Sequence, residues 1–184
     1  PGWGYGLVCY AVAFAAGVAA HMWEANPTPD ATLDFLARHR ITNMATVPTL
    51  MRGLMALGEE AVRRHGIAVR SMLSCGEPLN AECVTFFRRV WGVTPLDQFG
   101  SSEHGLPIGN RFVDRDAVRP GSMGKPLPGQ RIAIVDEAGQ VQPPGTSGLI
   151  ATLPPEDGIY ALGYWNNPEA EAALRRQGWI VTGD

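Results

Sequence analysis

Between residues 30 and 100, helix-period and strand-like segments alternate, and nothing else in the chain constrains its fold as much. Residues 30–40 place Leu33, Leu36 and Ala37 at helical spacing, with Thr28 or Asp30 available as a cap and Pro29 near the first turn. Residues 41–47 hold two threonines and a valine and read as a strand that Pro48 stops. Residues 49–57 align Leu50, Leu54 and Leu57 on one helical face, and residues 59–65 read as a second short helix ended by Gly66. Residues 69–75 are a buried strand, Gly76-Glu77-Pro78 is the turn after it, and Asn80 caps a helix over 81–91 striped by Val84, Phe87, Val90 and Trp91. Residues 94–96 are a short strand followed by a loop over 98–103. Strands separated by helices cannot pair as hairpins, so the pattern predicts a parallel sheet with helices on its faces over residues 1–108.

The character changes near residue 110, where Pro120, Gly121, Gly124, Pro126, Pro128 and Gly129 punctuate the chain. Residues 131–135 alternate as a strand, 136–140 read as a hairpin turn, and 148–153 and 179–181 read as further strands around a short helix at 168–176. This half, residues 109–184, is expected to be mainly antiparallel, a partial β-barrel.

With 184 residues, 45% hydrophobic and 18% charged, the chain can bury a core and is not disordered. A net charge of −3 excludes bulk attraction to nucleic acid. Residues 7–20 are strongly apolar but only 14 long, short of the roughly 20 needed to span a bilayer. They are expected to form a buried helix or helix–strand segment. Cys9, Cys75 and Cys83 are odd in number and unpaired in spacing, which fits a reducing, cytoplasmic setting rather than a disulfide framework. The chain starts on Pro1 and stops at Asp184 directly after Thr-Gly, and reads as an internal piece of a longer protein.

Three short stretches carry chemistry. In open α/β sheets, ligands bind beyond the carboxyl ends of the strands, where Gly76-Glu77-Pro78 and residues 97–103 both fall. Gly76 lets backbone approach a flat ligand, although the same residues serve as ordinary strand–helix punctuation. In Asp97-Gln98-Phe99-Gly100-Ser101-Ser102-Glu103, Phe99 can stack on a base and the serines can bind phosphate oxygens. Glu103 can join phosphate oxygens around Mg²⁺. The alternative is that Phe99 is core and the serines cap a turn. Asp184 can accept two ribose hydroxyls, or be merely solvated. Lys125 reads as part of a turn, His21, His39 and His65 as core or surface residues, and the five tryptophans as packing residues.

Taken in order, these stretches resemble the adenylate-forming (AMP-dependent) acyl-CoA synthetase family, with the acetyl- and medium-chain acyl-CoA synthetase branches nearest. Val47-Pro48-Thr49-Leu50 with Arg52 is similar to the family's "PT" motif, and Gly76-Glu77-Pro78-Leu79-Asn80 to "GEPLN". Phe99-Gly100-Ser101-Ser102-Glu103 is similar to "YGxTE", with phenylalanine in place of tyrosine and serine in place of threonine. Gly121-Ser122-Met123-Gly124-Lys125-Pro126 is similar to "GSxGxP", Gly148-Leu149-Ile150 with Gly163-Tyr164-Trp165 to "GEL … GY", and Thr182-Gly183-Asp184 to "TGD".

The resemblance implies an ATP-dependent ligase that joins a carboxylic acid to AMP, releases pyrophosphate, and passes the acyl group to coenzyme A. It implies that Ser102 and Glu103 are catalytic, Ser102 on the α-phosphate and Glu103 at Mg²⁺. Gly76, Glu77 and Pro78 would line the adenine and adjacent acyl region, and Phe99 would pack on adenine. Asp97, Gln98, Gly100 and Ser101 would complete that loop, and Asp184 would clamp the ribose. Val47, Pro48, Thr49 and His104 would lie by the acyl group. No tryptophan stands in residues 97–102, which points to an acid larger than acetate, within fatty acid metabolism. No stretch resembles the family's lysine-ended phosphate loop or its C-terminal domain, so the isolated piece is expected to be inactive. Two alternatives stay open: an adenylation module loading an amino or aryl acid onto a carrier protein, and a non-catalytic nucleotide-binding domain of the same fold.

Overall fold

A computed structural model describes residues 4–24, 26–154 and 160–184. The elements run α1 (Gly4–Ala15), α2 (Pro29–Arg38), β1 (Asn43–Thr46), α3 (Pro48–Ala56), α4 (Glu59–Arg64), β2 (Ser71–Ser74), α5 (Ala81–Trp91), β3 (Pro95–Ser101), β4 (Gly105–Gly109), β5 (Lys125–Pro126), β6 (Arg131–Val135), β7 (Leu149–Leu153), α6 (Pro168–Leu174), β8 (Arg175–Arg176) and β9 (Trp179–Val181). The chain forms two compact units. One is Pro1–Phe99 with Gly109–Lys125, the other Gly100–Ile108 with Pro126–Asp184.

In the first unit β1, β2 and β3 pair in parallel, as the alternation of helix and strand predicts. Thr28 caps α2 by accepting the Ala31 N–H, with Pro29 in the first turn, and Leu33 and Leu36 enter the core. Pro48 does more than stop β1. It opens α3, where a residue without an N–H forfeits nothing. Asn80 stands at the N-cap of α5, but its carboxamide oxygen accepts the Cys83 thiol at 3.3 Å rather than a backbone N–H. The core gathers Leu33, Met51, Leu54, Val62, Met72 and Phe87 from the helices and β2. Register places Thr46, Ser74 and Asp97 side by side, all buried, with Thr46 and Ser74 ending β1 and β2 and Asp97 third in β3.

The second unit is built on an antiparallel sheet in the order β6-β7-β9-β8. Val135, Ala151 and Val181 form its small core, with Leu149 and Trp179 packed against them. The hairpin turn expected at 136–140 forms around the Asp136 carboxylate, which accepts the Ala138 and Gln140 N–H groups.

Three expectations are corrected. Residues 7–20 do not form a buried segment. They fall largely on α1, whose one buried residue is Tyr5, while Leu7 is 64% and Phe14 70% exposed. Residues 98–103 are not simply a loop, since β3 continues to Ser101 and the turn is confined to Ser102–His104. The hairpin is possible because Gly100 meets the Gly105 carbonyl where a Cβ would lie only 1.9 Å from its oxygen. Trp165 is not a packing residue, being 98% exposed.

Candidate functional site

In the first unit the carboxyl ends of the parallel strands bring several candidate residues together. The Gly76-Glu77-Pro78 turn leaves β2 with Gly76 at φ +99°, backbone that glycine adopts without strain. Glu77 reaches back to the start of α3. Thr49 donates its N–H to Glu77 Oε1 at 2.8 Å and its hydroxyl to the same oxygen at 2.5 Å. Arg52 donates from Nη2 to Glu77 Oε2 at 2.6 Å and to Thr49 Oγ1 at 2.8 Å. The Thr49 and Arg52 bonds hold the Glu77 carboxyl down at about 2, well below the usual range. Of the predicted acyl-side residues Val47, Pro48 and Thr49, Thr49 thus shares one hydrogen-bonded cluster with the predicted adenine-side turn.

Asp97, the third residue of β3, stands beside Ser74 at the edge of this group. It is 8% exposed, and burial raises its carboxyl to about 6 although the Leu79 and Gln98 N–H groups favour the ionised form. Asp97 Oδ1 and Ser74 Oγ are buried polar atoms without a protein partner. Gln98 packs against Gly109, where a Cβ would come within 3.2 Å of its Cγ, and the Asp97 carbonyl accepts the Asn110 N–H at 3.0 Å. Phe99 is half-buried.

In the second unit the Ser102–His104 turn holds the other carboxylate. Ser101 and His104 lock its base, with Ser101 Oγ 2.7 Å from His104 Nδ1 and accepting the Glu103 N–H at 3.3 Å. His104 is buried, and desolvation lowers its pKa despite the Ile180 carbonyl beside it. His104 is therefore turned into the unit's framework with the Ser101 hydroxyl bonded to it, whereas Ser101 and Ser102 are exposed and Glu103 half-exposed. Tyr164 donates its hydroxyl to Glu103 Oε1 at 2.7 Å. The Ser101 and Tyr164 hydroxyls keep the Glu103 carboxyl below its ordinary range.

Ser102, Glu103, Gly163, Tyr164, Glu171 and Ile180 face a cavity of about 210 Å³. Among the described residues no group of three His, Cys, Asp or Glu side chains converges to hold a metal ion unaided. One ionised carboxylate beside a hydroxyl, on an open cavity, is the donor set Mg²⁺ takes when phosphate oxygens complete its shell. Asp184 is exposed, and its backbone is fixed. Its carbonyl accepts the Ile150 N–H at 3.0 Å, and its N–H donates to Thr182 Oγ1 at 3.2 Å.

The sequence profile of the AMP-binding enzyme family matches residues 1–165. The chain belongs to that family. It is 31% identical over 92% of its length to an uncharacterized acyl-CoA ligase, YtcI, of Bacillus subtilis, and spans 31% of that protein. It is 32% identical over its whole length to a benzoate–CoA ligase of Thauera aromatica, of which it spans 33%. A crystal structure of a benzoate CoA ligase from Burkholderia xenovorans superposes with a TM-score of 0.87 at 34% identity, over 99% of this chain and 36% of that one. The chain thus spans about a third of the length of these relatives, and its fold is that of adenylate-forming ligases.

Two contributors escaped the sequence reading. Tyr164 stands in the Gly163-Tyr164-Trp165 stretch and Arg52 in the "PT" stretch, so both were visible as motif members. Their hydrogen-bond partners lie 61 and 25 residues away, and sequence spacing carries no information on such contacts.

Proposed function

We propose that the natural protein is an AMP-forming acid–thiol ligase that activates a carboxylic acid with ATP and transfers the acyl group to coenzyme A. The observation that carries this reading is the turn after β3, where Glu103 is held ionised beside the exposed Ser102 on an open cavity. Glu103 would hold Mg²⁺ there, which when bound neutralises phosphate charge and polarises the α-phosphate. Ser102 would donate to an α-phosphate oxygen, where fixed donors stabilise charge that develops during attack by the carboxylate. Asp184, with its backbone anchored to β7, would accept the ribose hydroxyls.

In the first unit Phe99 would pack on adenine beside Gly76 and Pro78, with Asp97 and Gln98 supporting that strand end. Val47, Pro48 and Thr49 would border the acyl group. Residues 1–108 would carry the acyl and adenine motifs, and residues 109–184 would end on the ribose-binding Asp184. Ser101 and His104 would serve as the frame that presents Ser102 and Glu103, since their polar atoms face each other and Ile180.

The acid is proposed to be larger than acetate. Benzoate is the first to test, because the Thauera aromatica relative, matched along the whole chain, carries that name. ATP–pyrophosphate exchange by the full-length protein across acetate, octanoate, benzoate and amino acids tests the reading. Exchange with benzoate or octanoate, followed by a coenzyme A thioester, is the expected result. Exchange confined to amino acids would make it a carrier-loading module, and no exchange at all would make it a non-catalytic nucleotide-binding domain.

A further inference from the structure

The Glu77 carboxylate does not behave as a free ligand contact. Pro48 has no N–H, and Leu50 and Met51 both donate to the Val47 carbonyl, so the Thr49 N–H is the donor left open at the start of α3. Val47, at the N-cap, has no side-chain acceptor to offer. Glu77, 28 residues further on, supplies it, and accepts the Thr49 hydroxyl as well. Arg52, one turn along α3, then closes the ring by donating to both partners. Both oxygens of Glu77 are thereby occupied by α3, although its neighbours Gly76 and Pro78 form the turn that leaves β2.

We propose that Glu77 is a positioning residue that couples the two halves of the substrate site, fastening the acyl-side start of α3 to the adenine-side turn so that occupation of one orders the other. This rests on the function proposed above. It assigns the Glu77 side chain a role through Thr49 and Arg52 instead of a contact with the nucleotide. Coupled sites of this kind typically change each other's affinity by about 5–150-fold, and the effect is reciprocal.

The test uses the full-length protein and titration calorimetry with a non-hydrolysable ATP analogue and Mg²⁺, with and without saturating benzoate or whichever acid exchanges fastest. In the wild type the acid should tighten analogue binding. In Glu77→Ala that tightening should fall at least about five-fold and the KM for the acid should rise about ten-fold. Binding of the analogue alone should change less than two-fold. Glu77→Gln, which keeps an acceptor for Thr49, should recover part of the coupling. Arg52→Met leaves the Thr49–Glu77 bonds in place and should lose part of the coupling, which covers the case in which Glu77→Ala does not fold. Weaker binding of the analogue alone, with coupling and acid KM unchanged, would make Glu77 a direct nucleotide contact and overturn the proposal. Unchanged coupling in both variants, or none in the wild type, overturns it too, while pyrophosphate exchange in the wild type shows the parent reading intact. Absence of exchange with every acid overturns both.

Discussion

Glu77 and Glu103 each occupy a turn that follows a strand ending in the family's motifs, and both carboxyls lie below their ordinary range. Their surroundings differ. Glu77 faces a helix-start N–H, a hydroxyl and a guanidinium, which together occupy both oxygens. Glu103 faces the neutral hydroxyls of Ser101 and Tyr164 on the edge of a cavity. A carboxylate neutralised by a guanidinium gains little from a second cation, whereas one held by hydroxyls keeps its full charge for one. The same residue type in two turns is thus occupied on both oxygens by α3 in one unit and set at a cavity in the other. The depressed pKa alone does not distinguish them. The sign and valence of the partners do.

The contrast is broken most directly at Glu103. Glu103→Gln should slow acid-dependent pyrophosphate exchange in the full-length protein by about 10²–10³, the loss expected for one preorganised electrostatic group. A drop smaller than that caused by Glu77→Ala would reverse the assignment of the two carboxylates.

Asp97 offers a third environment, a carboxyl raised to about 6 by burial. Its folded-state pKa lies above the unfolded value of 3.8, so its contribution to stability is fully present below about pH 4 and is lost as pH rises through 6. A shift of this size corresponds to about 3 kcal/mol. Asp97→Asn should therefore gain on the wild type between pH 4 and 7 in urea-denaturation series, by an amount of that order. A pH-independent difference would mean that Asp97 is ionised in the native protein.

Gly100 sharpens the comparison by testing the frame around Glu103. A Cβ there would sit 1.9 Å from the Gly105 carbonyl oxygen, so Gly100→Ala must push β3 and β4 apart at the turn. A loss of about 1–3 kcal/mol of stability, as for other overpacked sites, should accompany lower exchange activity. Near-wild-type melting would show that the hairpin can open without cost.

The smallest effect belongs to Tyr164→Phe. Removing the hydroxyl leaves Glu103 with a weaker hold on its charge, so the acid limb of the exchange-rate profile should move to higher pH, with only a few-fold loss of rate at neutral pH. A profile unmoved by the substitution would show that Ser101 alone keeps Glu103 ionised.

Much of the first unit was legible before any coordinates. Period and capping mark α2, α3 and α5, because Thr28 with Pro29, the face of Leu50, Leu54 and Leu57, and the stripe through Val84, Phe87 and Val90 are local signals. Their alternation with strands left a parallel sheet as the consistent arrangement. The site was legible as an ordered set of short motifs and not as geometry. The sequence expects a loop over 98–103 where β3 runs on to Ser101, since the pairing that extends β3 depends on Gly100 meeting a residue five places on. The apolar run at residues 7–20 was legible as apolar and misread as buried, because hydrophobicity fixes a preference for burial and not the layer that would supply it.

The sequence by itself determined α2, α3 and α5, the parallel-then-antiparallel order and the family, since these follow from local propensity, periodicity and motif order. Only the tertiary structure decided which carboxylate faces a guanidinium and which faces a cavity. Glu77 and Glu103 look alike in sequence, and they part company through Thr49 and Arg52 on one side and Tyr164 on the other. Those contacts join residues 25 to 61 positions apart, and only folding brings such groups within hydrogen-bonding distance.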